Sequence, residues 1–228
     1  MTAPTVSILI PVYNEAATVD RLLTKVTAHR AGADVIVVDD GSTDGTTALL
    51  ERWAGQGAIR LIRHERNRGK GAAVRTALDA AAGEILLIQD ADLEYDPEDY
   101  PMLLKPLREG RADVVFGSRF LGAHRATFFW HRLANGALTT LVNLLFNTSL
   151  TDMETGYKAF HRRVLQGVTL RAQRFDFEPE FTCRVLRNGY HIFEVPIAYY
   201  GRTYAEGKKI TWKDGLHALW TILRIRVG

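Results

Sequence analysis

Two aspartates stand two positions apart just past an apolar run: Ile85-Leu86-Leu87-Ile88 leads into Gln89-Asp90-Ala91-Asp92-Leu93-Glu94. In extended chain, residues i and i+2 point to the same side. Asp90 and Asp92 then face one spot and repel each other unless a cation sits between them. Carboxylate oxygens in low number suit Mg²⁺ or Mn²⁺, which complete their shells with water and substrate phosphate. A cation held in this way neutralises a diphosphate leaving group as charge builds on it. A bare D-x-D is equally a solvated acidic turn that caps a helix; its place after a buried strand is what favours chemistry. A second polar run, Asp39-Asp40-Gly41-Ser42-Thr43-Asp44-Gly45-Thr46, begins where Val35-Ile36-Val37-Val38 stops. Asp39 can accept hydrogen bonds from a nucleobase, and Asp40 can bind ribose or water. These residue types also form turns and caps, and both roles are compatible. Arg68-Gly69-Lys70-Gly71 opens an Ala-rich segment. Its glycines permit close backbone approach, and a helix N-terminus favours phosphate. The segment is no P-loop, because the G-x-x-x-x-G-K-[ST] spacing is missing.

The elements that must hold these residues alternate. Val6–Pro11, Asp34–Asp39, Ile59–Arg63, Glu84–Gln89 and Val114–Phe116 read as buried strands. Between them, 15–30, 44–53, 71–82 and 97–109 carry helical spacing, with Thr43 or Asp44 as a cap before the second and Pro97 in the first turn of the last. Continuous apolar strands separated by helices imply a parallel sheet covered on both faces. Five of them make a doubly wound α/β fold, whose ligands sit at the carboxyl ends of the strands. The acidic and glycine-rich clusters fall at those ends. In the second half, 128–146 and 176–188 read as helices, 191–197 alternates like a strand, and 212–227 is a basic amphipathic helix.

Composition narrows the function classes. The chain has 228 residues, 46% hydrophobic and 24% charged, as expected of a globular protein able to bury a full core. A net charge of +3 is too small to imply nucleic-acid binding. Local basic density at 60–70 and 202–226 suits phosphorylated substrates or anionic lipid headgroups. The single cysteine, Cys183, cannot close an intramolecular disulfide, fits a reducing compartment and reads as a packed helix residue. The seven histidines show no metal-ligand spacing. No leader is read before Val6, and no stretch approaches the ~18 uncharged apolar residues of a membrane span. The expected placement is cytoplasmic.

Pro11-Val12-Tyr13-Asn14-Glu15, the Asp39–Thr46 run, Asn67-Arg68-Gly69-Lys70-Gly71, Asp90-Ala91-Asp92-Leu93 and Gly117-Ser118-Arg119-Phe120 stand in the order of a known family. The chain resembles the inverting family 2 glycosyltransferases of GT-A fold and, within them, the dolichyl- or polyprenyl-phosphate hexose synthases. Asp152-Met153-Glu154-Thr155-Gly156-Tyr157-Lys158-Ala159-Phe160, Phe175–Glu180, Glu194–Ile197 and Arg202–Lys209 extend the likeness over nearly the whole chain. Each motif is modest alone; together and in order they are highly specific. The resemblance implies one GT-A domain, with 1–120 holding the nucleotide sugar and 121–228 the acceptor. It also implies transfer of mannose or glucose from a GDP- or UDP-sugar to a polyprenyl phosphate, with Mg²⁺ or Mn²⁺.

By the same resemblance, Pro11, Tyr13, Glu15 and Asp39 line the nucleoside pocket, with Asp40, Lys70, Gly71 and Ala91 also at the donor. Asp90, Asp92 and Glu94 gather the metal; Glu94 stands where the family often has Gln, and its oxygen still suits a hard cation. Arg119 and Arg132 face the donor and acceptor phosphates, and Arg202 with Lys208 or Lys209 lies on a loop that closes over them. Guanidinium groups fit this because they bind phosphate bidentately and stay charged. A lipid phosphate is already an anion and needs no strong base. Asp152 and Glu154 are the candidate bases if one is used, and Asp152 is also a cap that organises basic neighbours. A hydroxyl acceptor on a glycan is the alternative, and it would demand the base. The lipid acceptor calls for a membrane surface, which Phe128-Phe129-Trp130 with Leu133–Phe146, and Leu216, Leu219, Trp220 and Leu223 beside Arg224 and Arg226, are suited to meet. Both helices are equally able to pack on the sheet. Relatives often carry C-terminal membrane helices; without them, reversible surface binding, a separate membrane subunit or a longer chain is expected.

Overall fold

The computed structural model describes residues 4–125, 128–202 and 212–227. Its centre is a seven-stranded sheet of order β3-β2-β1-β4-β6-β5-β7. The expected strands appear as β1 (Val6–Val12), β2 (Asp34–Asp39), β3 (Arg60–Arg63), β4 (Ile85–Ile88), β5 (Val114–Ser118) and β7 (Ile192–Pro196). β1 is buried along its whole length because both sheet faces are covered. It is the hub: Leu9 lies opposite Ile36 on β2 and Ile88 on β4, all parallel. The strand missed by sequence pattern is β6 (Lys158–His161), which runs antiparallel between β4 and β5. A lysine heads this fully buried strand, so no apolar run announces it. Its burial is made tolerable by partners: Lys158 Nζ donates to Met153 O at 3.0 Å and Thr155 O at 2.6 Å, and lies 3.9 Å from the Phe116 ring centre.

Helices α1 (Val19–His29), α2 (Thr46–Gly55) and α4 (Tyr100–Arg108) cover one face. α3 (Lys70–Ala80) and α6 (Phe177–Arg187) cover the other. α1 starts later than its pattern suggested, because residues 13–18 form a turn at the mouth of the sheet. α2 is entered through Gly45, at φ 94°, while Asp44 one position earlier accepts from the Thr46 amide at 3.1 Å. Pro97–Asp99 forms a separate 3-10 turn before α4.

The last two helices do not lie on the sheet. α5 (Phe129–Phe146) and α7 (Trp212–Val227) pack with α6 around a third core that holds Val142, Leu150, Met153, Cys183, Ile222 and Ile225. Cys183 is buried there, and burial pushes its thiol up to about 12. The outer faces stay open: Trp130 is 73% exposed and Trp220 64%. No helix among the described residues is long and apolar enough to cross a membrane.

Candidate active site

A cavity of about 930 Å³ opens at the carboxyl ends of β1, β4 and β5 and extends between α5 and α7. Pro11, Tyr13 and Glu15 reach it from β1, Asp90, Ala91, Asp92 and Glu94 from the end of β4, and Arg119 and Phe120 from β5. The end of β4 is held rigidly: Gln89 Oε1 accepts from Tyr100 OH at 2.8 Å and Tyr157 OH at 2.6 Å.

One end of the cavity is acidic. β4 stops at Ile88, so Asp90 and Asp92 sit in a turn rather than on extended chain. The two carboxylates take different partners, Asp90 pairing with Lys70 and Asp92 with Arg202. Leu93 takes φ 60°, a left-handed conformation that is costly for a residue with a Cβ, and reverses the chain before Glu94. Asp90 binds Lys70 Nζ at 2.7 Å, and Lys70 also binds Glu178 at 2.7 Å. Burial works against the Lys70 ammonium, yet these two carboxylates outweigh it and hold it charged. A side chain at Gly156 would collide with Asp90 Oδ2, so only glycine leaves that carboxylate its place. Asp92 is pushed up to about 7 by burial, then by Glu94 and Asp90, with Arg202 opposing. Glu94 accepts from Tyr199 OH at 2.8 Å and the Arg202 amide at 2.5 Å.

Among the described residues no three His, Cys, Asp or Glu side chains form a ready metal-ligand set. The chemistry of the donors nevertheless fits a hard divalent cation. Three carboxylates crowd a half-buried turn, and Asp92 suffers from the crowding. Mg²⁺ needs only one or two protein carboxylates when phosphate oxygens and water supply the rest. In this structure Arg202 provides the compensating charge: Nη1 and Nη2 each lie 3.2 Å from Glu15, and Nη2 lies 3.1 Å from Asp92. Its Nε is buried without a hydrogen-bond partner.

Asp39 and Asp40 are both turned to holding loops. Asp39 accepts from the Ser42 amide at 3.0 Å and Thr47 Oγ1 at 2.6 Å, and it does not line the cavity. Asp40 lines it while binding His64 Nδ1 at 2.6 Å and the amides of Arg68 and Gly69 at 2.9 and 2.7 Å. It thereby fixes the head of α3 and with it Lys70. Gly71 packs so tightly on residue 172 that an added Cβ would lie 2.6 Å from Ala172 O. Ala91 backs the site as a buried residue of the acidic turn, its carbonyl accepting from Thr18 Oγ1 at 3.1 Å.

The other end is basic. Arg119 grips Asp152 with Nε at 2.7 Å and Nη2 at 2.8 Å, and its amide adds a third bond at 3.1 Å. Asn135 of α5 donates a fourth at 3.0 Å. Asp152 is wholly buried, which works against its charge, yet Arg119 and these donors hold its carboxyl below the usual range. The Arg119 guanidinium lies 5.2 Å from the Tyr199 ring centre, and Arg132 lies 5.0 Å from that of Phe120. Both line the cavity, as do Trp130, Leu138, Gly215 and Ala218 of α5 and α7. Glu154 also lines the cavity, its carboxyl pushed up to about 8 by burial and by Glu178, with Oε1 buried and unpartnered. Lys208 and Lys209 lie outside the described residues.

Comparison with known proteins decides the family. Residues 7–169, most of the chain, match the profile "Glycosyl transferase family 2". The chain belongs to that family. This glycosyltransferase is 30% identical over 211 residues to the polyprenol monophosphomannose synthase of Mycolicibacterium smegmatis, covering 88% of this chain and 79% of that one. It is also 30% identical over 242 residues to the undecaprenyl-phosphate mannosyltransferase of Micrococcus luteus, covering 96% and 98%. Among solved structures, glucosyl-3-phosphoglycerate synthase of Mycobacterium tuberculosis with Mn²⁺ and UDP-glucose superposes with a TM-score of 0.77. It covers 98% of this chain and 79% of that one at 23% identity, which speaks for a shared GT-A fold. The glycosyltransferase cavity also contains residues with no role assigned from sequence: Glu178, Phe120, Tyr199 and Asn135. Glu178 lies inside a motif of the resemblance, but nothing in its spacing showed that it would pair with Lys70.

Proposed function

We propose that this glycosyltransferase moves a hexose, mannose or glucose, from a GDP- or UDP-sugar to a polyprenyl phosphate with inversion and with Mg²⁺ or Mn²⁺. The observation that carries the reading is the polarity of one cavity. Carboxylates gather at one end, two arginines at the other, and the basic end runs out between α5 and α7 under an exposed aromatic rim. The names of the two relatives, a polyprenol monophosphomannose synthase and an undecaprenyl-phosphate mannosyltransferase, support the acceptor class.

Asp92 and Asp90 would hold the divalent cation, with Glu94 beside them. When bound, the cation offsets charge on the departing diphosphate. Lys70, held charged by its carboxylates, stands beside Asp90 to bind donor phosphate. Pro11, Tyr13 and Glu15 border the nucleoside end. Arg119 and Arg132 bind and orient the acceptor phosphate, the guanidinium of Arg119 fixed by Asp152. Asp152 thus works as a positioning residue. It is ionised but engaged by four donors, and a phosphate nucleophile brings no proton to remove. Arg202 is placed to move from the carboxylates to phosphate once the donor and cation satisfy Glu15 and Asp92. The prenyl chain would lie along Leu138, Gly215 and Ala218, and the outer faces of α5 and α7 would rest on the membrane surface, peripheral and on the cytoplasmic side.

The test is sugar transfer from radiolabelled GDP-mannose and UDP-glucose, in parallel, to undecaprenyl phosphate in detergent with Mg²⁺ or Mn²⁺, with Asp92→Ala as control. Metal-dependent labelling of the lipid from one donor, lost in the variant, is expected. Transfer to a glycan hydroxyl with none to lipid phosphate would overturn the acceptor.

A further inference from the structure

An in-line displacement at the anomeric carbon fixes where the sugar must be. The leaving oxygen belongs to the donor diphosphate and the attacking oxygen to the acceptor phosphate, so the hexose lies between the two phosphate subsites. In this cavity those subsites are Lys70 with Asp90 on one side and Arg119 with Asp152 on the other. Glu154 lines the same cavity, and its electrostatic neighbours include Glu178, which pairs with Lys70, as well as Arg119 and Asp152.

Glu154 is also the one carboxylate among the described residues with a buried oxygen that finds no hydrogen-bond partner. Leaving such an oxygen unmet carries an uncompensated desolvation cost. The neighbouring carboxylates are all engaged: Asp152 by four donors, and Asp90 and Glu178 by Lys70. A neutral, hydroxyl-rich ligand is what a lone carboxyl oxygen in a lined cavity suits, because each hydroxyl both donates and accepts.

We propose that Glu154 is a specificity-determining residue for the transferred sugar, its Oε1 hydrogen-bonding a hexose hydroxyl. The assignment rests on the transfer reading above and differs from a base role, since the hydroxyl it binds is not the one that reacts. Burial and Glu178 favour the protonated carboxyl at neutral pH, which donates one hydrogen bond and accepts another without placing a second bare charge beside the diphosphate. Lys158 and the 152–156 segment that it braces set the height of this group in the cavity.

Calorimetric binding of GDP-mannose, UDP-glucose, GDP and UDP with Mn²⁺, to the wild type and to Glu154→Ala and Glu154→Gln, tests it. Glu154→Ala is expected to weaken the nucleotide sugar by about tenfold while the matching nucleoside diphosphate changes less than about twofold. Glu154→Gln, of the same shape, is expected to lose less. A donor lacking the contacted hydroxyl should bind the wild type more weakly than the parent sugar, and bind Glu154→Ala no more weakly. Equal weakening of sugar and diphosphate, or of neither, would overturn the assignment. A fall in kcat with nucleotide-sugar affinity intact would overturn it too and make Glu154 a base or positioning group. Failure of the wild type to bind any nucleotide sugar would instead remove the transfer reading itself.

Discussion

Asp152→Asn separates a positioning role from a base role. The Asp152 carboxylate is wholly buried and takes three bonds from Arg119 and one from Asn135, while Arg119 itself is largely buried. Asn keeps the shape and one acceptor oxygen but turns an amide N–H group toward guanidinium N–H groups. Breaking one side of a buried ion pair costs about 3–5 kcal/mol, and the retained oxygen puts this change near the lower end. At about 2–4 °C per kcal/mol for a chain of this size, the melting temperature should fall by about 10 °C. Differential scanning calorimetry of the wild type, Asp152→Asn, Arg119→Met and the double variant measures it. The double variant should lose clearly less than the sum of the singles, because it leaves no stranded charge. The pH dependence follows from the lowered carboxyl. The pair's contribution is fully present above the unfolded carboxylate pKa of about 3.9 and is lost as pH falls through the lower folded value. Wild-type turnover should accordingly show no titration of Asp152 in the neutral range. An acid limb in kcat near pH 6–7 that vanishes in Asp152→Asn would refute the positioning role, as would additive losses in the cycle.

Three further outcomes are expected. Arg202→Gln should bind Mn²⁺ severalfold more tightly in the absence of nucleotide, read by electron paramagnetic resonance, because Glu15 and Asp92 lose their internal cation; the same variant should turn over more slowly. Gly156→Ala should fold with lower stability and lose metal-dependent nucleotide binding by equilibrium dialysis, since its Cβ displaces the Asp90 carboxylate; unchanged binding would mean that Asp90 is not fixed there. Trp130→Ser with Trp220→Ser should reduce cosedimentation with anionic phospholipid vesicles by about tenfold and leave the melting temperature within ~2 °C, because both rings are mostly exposed.

Most of the parallel strands could be read from residues alone, because burial on both faces favours a continuous apolar run, as in Val35–Val38 and Ile85–Ile88. Turn-forming and acidic residues directly after those runs placed the site at the carboxyl ends, since a doubly wound sheet leaves only that edge open to a ligand. The motifs, taken in order, also named the family. Other features needed the chain folded. β6 was hidden because Lys158 heads it, and a buried lysine is tolerable only when the carbonyls of Met153 and Thr155 are brought to it. Asp39 and Asp40 look equally able to face a ligand in sequence; only the fold shows Asp40 lining the cavity while Asp39 braces the turn through Ser42 and Thr47. Ion pairs across the site join residues far apart in the chain, Arg202 to Glu15 and Asp92, Lys70 to Glu178, Arg119 to Asp152. Local sequence records which side chains can carry charge; which of them share a low-dielectric cavity, and so which charges must be compensated, is decided only when the sheet and its helices close around them.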